Sequence, residues 1–121
     1  MPYIKANDGR REALRNGEPA LNAGELNYQM FHYVKYNYSF TVDPYYKFMK
    51  NITFFVDRFL GDKPNYQRWN DMTGALIRCG KEVFRRLDLD LMGEFIRVME
   101  NYDKRIAEYE DEKIASNGDV E

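Results

Sequence analysis

Between residues 66 and 87 the apolar side chains Trp69, Met72, Leu76, Cys79, Val83 and Leu87 recur at steps of three and four. An α-helix puts such positions on one face, whereas a strand sends successive side chains to opposite faces. The centre of the chain is therefore committed to a long amphipathic helix that must bury one side against other elements. The turn Asp62-Lys63-Pro64-Asn65 sets its beginning.

Local punctuation marks three more helices. Asn22 and Glu25 stand at capping-box spacing ahead of Leu26, Met30 and Val34, which predicts a helix over 23–36. Asp43 as cap, Pro44 in the first turn and Gly61 as a left-handed stop predict a helix over 44–60. Between them Tyr36, Tyr38, Phe40 and Val42 alternate with polar residues. That period suits a strand, but with no second strand to pair it reads as an extended loop or edge segment. Asp88 is placed to cap the last helix, where Met92, Phe95, Met99, Tyr102, Ile106 and Tyr109 keep a packed-seam spacing toward Asn117-Gly118. The expectation is all-α: one domain over residues 1–121, a small antiparallel bundle of about four helices. The C-terminal helix, at about 35 Å, outruns a compact radius of about 14 Å, and its overhang predicts a homo-oligomer.

Eighteen Lys plus Arg against twenty Asp plus Glu give a net charge of −2, so no global positive field draws in nucleic acid or membrane nonspecifically. The charge is unevenly spread: residues 66–87 carry five bases and two acids, residues 88–121 four bases and eleven acids. No apolar stretch approaches the roughly 20 residues of a membrane span, and Met1-Pro2-Tyr3-Ile4-Lys5 lacks a signal peptide's apolar run. A cytoplasmic location is the expectation.

Reactive side chains are scarce. Structural zinc needs several Cys or His ligands, and the chain has only Cys79 and His32. A di-iron bundle would need Glu three residues before His32, where Gln29 stands. Cys79 falls on the apolar stripe, and Gly80-Lys81 lacks a phosphate loop's companions, with Ala75 and Glu82 in their places. These exclusions predict a non-enzymatic protein without metal or cofactor.

Two surfaces remain. Arg78, Lys81 and Arg85 project into one sector with Gly74, which leaves backbone open to close approach. Phosphates or an acidic protein suit that stripe, with Tyr3, Lys5, Arg10, Arg11 and Tyr28 completing a mixed ring-and-cation ligand site. Tyr33, Tyr36, Tyr38, Tyr45 and Tyr46 form a second candidate, a partner interface, because tyrosine is amphipathic and rotamer-poor.

The segments Met1-Pro2-Tyr3-Ile4-Lys5, Gly24-Glu25-Leu26-Asn27-Tyr28, Asn70-Asp71 with Gly74-Ala75-Leu76, Glu82 with Arg85-Arg86-Leu87, and Tyr109-Glu110-Asp111-Glu112-Lys113-Ile114 before Asn117-Gly118-Asp119-Val120 resemble a small helical family of phages and prokaryotes. The resemblance implies a compact α-helical fold and no particular activity. It makes residues 33–63 and 88–107 additions to the family core, and it makes a phage origin plausible. The expected function is sequestration of a nucleotide-like host signal; the alternative is an inhibitor or adaptor that grips a host protein through the Tyr-rich segment and the acidic helix.

Overall fold

The computed structural model describes residues 4–6, 9–38 and 42–120. Its helices are α1 (Gly9–Arg15), α2 (Ala23–Asn37), α3 (Pro44–Leu60), α4 (Tyr66–Leu87), α5 (Met92–Glu100) and α6 (Asp103–Asn117). No strand occurs among the described residues, so the fold is all-helical. No described helix is long and apolar enough to cross a membrane.

Side-chain caps open the three central helices. Asn22 Oδ1 accepts from the Glu25 backbone N–H at 2.9 Å, Asp43 Oδ1 from Tyr46 at 3.2 Å, and Asn65 Oδ1 from Arg68 at 2.8 Å. Each satisfies an amide that has no partner inside its helix. Glu25 completes the first motif differently from a capping box. Its Oε1 accepts from Leu21 N at 2.9 Å, and its two oxygens take a bidentate fork from Arg10 at 2.7 and 2.9 Å. That fork, with Gln29 Nε2 donating to the carbonyls of Leu14 and Glu18, straps α1 onto α2.

α4 is the axis of the packing, with α2, α3 and α5 laid against it. Its stripe behaves as the periodicity requires: Trp69, Met72, Leu76, Cys79 and Val83 are buried. Around them Leu26, Met30 and Val34 of α2, Phe48, Ile52 and Val56 of α3, and Phe95 and Val98 of α5 join one hydrophobic cluster. Each such side chain contributes about 1.5–3 kcal/mol on leaving water. Phe48 and Phe95 meet edge to face at 5.0 Å.

Three expectations change. Among the described residues there are six helices rather than about four; α1 was too short, with one buried apolar residue, Leu14, to show a period. Asp88 does not open the last helix. It closes α4 in the left-handed conformation (φ 56°, ψ 37°), its N–H bonded to the Phe84 carbonyl. The single long C-terminal helix is instead α5 and α6, parted at Asn101–Tyr102. The Tyr102 hydroxyl donates to Asp57 Oδ1 of α3 at 2.6 Å and its ring meets Trp69 edge-on. Seating Tyr102 there draws the chain into a tight turn, with Tyr102 N bonded to Met99 O, before Ile106 N resumes helical bonding to Tyr102 O. The seam survives the break: Phe95 and Tyr102 are buried, and Met92, Met99, Ile106 and Tyr109 half-buried. α6 buries no side chain fully. The alternating segment is helical as far as Asn37, with Tyr38 as its C-cap, and its residues 39–41 lie outside the described part.

Candidate functional site

Gly74, Arg78, Lys81 and Arg85 line one side of a cavity of about 430 Å³ between α2 and α4, faced by Ala23, Gly24 and Asn27. All four stripe residues are exposed, and among the described residues none of the three cations is drawn into a salt bridge. A Cβ on Gly74 would meet nothing within 4 Å, so no packing explains this glycine. What it leaves is open volume in the cavity wall.

A second cavity of about 380 Å³ adjoins the first and shares Gly24, Asn27 and Glu82 with it. Both volumes fall within the roughly 300–1,000 Å³ of small-ligand sites. Its aromatic wall comes from one face of α2: Tyr28, Phe31, His32 and Tyr36. Tyr28, His32 and Tyr36 recur every four residues, so their rings stack along the helix, 5.9 and 4.7 Å apart. Cations lie over three of the four rings. Arg11 lies 5.4 Å over Tyr28, Arg86 4.5 Å over Phe31, and Lys35 5.3 Å over Tyr36. Arg15 donates to the Tyr28 hydroxyl at 3.1 Å, and Arg11 to the Ile4 carbonyl at 2.9 Å.

Among the described residues the two cavities together are lined by Arg11, Arg15, Lys35, Arg78, Lys81, Arg85 and Arg86, against the single carboxylate of Glu82. Glu82 is only 6% exposed. It accepts from Asn27 Nδ2 at 3.0 Å and from Arg86 at 3.4 Å. Burial, then the charges of Arg15 and Lys35, hold the His32 pKa below its ordinary value, so its imidazole is neutral at pH 7. Cys79 lines neither cavity; burial first and the nearby Glu82 second push its thiol far above the usual range. Among the described residues no cluster of His, Cys, Asp or Glu is arranged to hold a metal ion.

Of the other expected ligand residues, Arg11 and Tyr28 join the aromatic cavity, Lys5 is exposed and lines neither cavity, and Tyr3 lies outside the described residues. Arg10 is engaged with Glu25 instead. The expected tyrosine interface is dispersed. Tyr33 is 7% exposed and belongs to the core, which removes it from any surface. Tyr38 packs edge-on against Phe48. Tyr36 belongs to the aromatic cavity, while on α3 Tyr45 accepts from Arg97 at 2.9 Å and Tyr46 is 60% exposed. Residues not anticipated for the site are Arg15, Gly24, Asn27, Phe31, His32, Lys35, Glu82 and Arg86. The signal for half of them was available: positions 24, 27, 31 and 35 keep helical spacing with the expected Tyr28 and carry small, polar, aromatic and cationic residues rather than aliphatic ones. Comparison of the chain with protein-family models, with curated proteins and with solved structures finds no match.

Proposed function

We propose that this chain is a non-enzymatic binding protein that holds a nucleotide-like anion in the cleft between α2 and α4. One observation supports the reading above all: a chain of net charge −2 lines two adjoining cavities with seven cations, one carboxylate and a wall of four rings. Guanidinium forks suit phosphate oxygens, and aromatic faces accept a base by stacking. Cys79 sits in the core, away from both cavities, and His32 stands among rings and cations, so holding is favoured over turnover. The resemblance to a phage and prokaryotic family extends the reading to sequestration of a host signalling nucleotide in the host cytoplasm, by a homo-oligomer.

Thermal unfolding with a panel of linear and cyclic nucleotides tests it. Ligand at a hundredfold excess over Kd adds about 2.7 kcal/mol, a rise in Tm on the order of 10 °C for a chain of this size. Arg78→Ala weakens binding by about tenfold, the loss of one charge-assisted hydrogen bond. A panel that produces no shift at millimolar ligand overturns the proposal.

A second reading, an adaptor or inhibitor of a host protein, draws support from α6, which buries no side chain fully while carrying Glu108, Glu110, Asp111 and Glu112. Stoichiometric capture of one defined host protein, without any nucleotide response, decides for it.

A further inference from the structure

We propose that the ligand is a guanine-type nucleotide, its base edge read by Glu82; the inference rests on the function proposed above and names the ligand class within it. A cleft built for phosphate alone gains nothing from a carboxylate in its wall, because like charge repels the ligand. Yet Glu82 stands at the junction of the two cavities, the one carboxylate among the described residues lining either. It is held in place by two donors, one of them its ion-pair partner Arg86. Asn27 fixes Oε1 at 3.0 Å, and Arg86, itself stacked on Phe31, reaches Oε2 only at 3.4 Å.

A carboxylate has about four acceptor sites, and two donors leave two of them for a ligand. Unfilled, those sites make a buried anion costly; filled by N–H groups, they make a selective contact. Guanine offers its ring N1–H and exocyclic amine side by side, a pair that matches the two carboxylate oxygens. Adenine and cytosine set an amine beside a ring acceptor, and uracil sets one N–H between two carbonyls, so each would direct a lone pair at Glu82. The layout supplies the rest. The base lies in the aromatic cavity beside the Arg11–Tyr28 and Arg86–Phe31 pairs, the ligand passes over side-chain-free Gly24, and the phosphate reaches Arg78 and Lys81 in the neighbouring cavity.

Calorimetry of the full chain with GMP, IMP, AMP, UMP and inorganic phosphate tests this. GMP is expected to bind at least tenfold more tightly than AMP or UMP. IMP, which keeps the ring N–H and lacks the amine, falls between. Glu82→Gln is expected to collapse the GMP-to-AMP ratio toward one, whereas Arg78→Ala weakens both and leaves the ratio intact. Should Glu82→Gln unfold, the GMP, IMP and AMP ranking on the unaltered chain still decides. Equal affinity for the nucleotides overturns the role of Glu82 while leaving nucleotide binding standing; no binding of any nucleotide overturns both.

Discussion

Two glycines on α4 do opposite things. Gly74 faces open space, whereas a Cβ on Gly80 would stand 2.8 Å from Met92 Cε and 3.3 Å from Phe95 Cδ2, so Gly80 is where α5 is allowed to close on α4. Gly74→Ala is therefore expected to raise stability by up to about 1 kcal/mol through helix propensity. Gly80→Leu should cost about 1–3 kcal/mol by overpacking. Denaturant midpoints of the two variants check the contrast; a loss at position 74 would show that its backbone is in contact after all. His32 gives a pH signature. Its pKa is held below 6.5 by burial and by Arg15 and Lys35, so as pH falls below 6.5 the unfolded chain takes up the proton first. Stability should decline from pH 6.5 downward until the folded value is passed. A bound phosphate raises that value, so its affinity rises on acidification. Imidazole proton shifts followed by NMR with and without ligand read both effects, and a His32 pKa unmoved by a bound nucleotide would separate the ring from the site.

The helices were legible because their signals act within one turn: Asn22, Asp43 and Asn65 each bond an amide three residues on, and Gly61 stops α3 at φ 69°. The parting of α5 from α6 was not legible, because a bond between Tyr102 and Asp57, distant in sequence, decides it, with neither Gly nor Pro at the break. The candidate face was half legible for the same reason. Gly74, Arg78, Lys81 and Arg85 share a sector of one helix, but the facing wall depends on which side of α2 meets α4. The outer part of α6 has its own prediction. Every residue from Glu110 to Val120 is exposed, Ile114 by 43%. Deleting residues 111–121 should leave the melting temperature within about 2 °C, as for surface changes generally. If the chain associates through this helix, sedimentation mass falls to that of a monomer on the same deletion, and a full-length chain that is monomeric at every concentration removes the oligomer.

At the scale of the molecule, the acids gather in residues 88–121 and the bases around the α2–α4 cleft, so a near-neutral chain carries two regions of opposite sign. Such a field steers small anions to the cleft and weakens as salt screens it over about 8–10 Å. The interior carries a different consequence. Cys79, the chain's only thiol, is sealed on the buried face of α4. An alkylating reagent reaches it only in molecules whose centre has come apart, so the speed of labelling counts those excursions directly. The protein thus contains its own stopwatch for opening, readable without any engineered label.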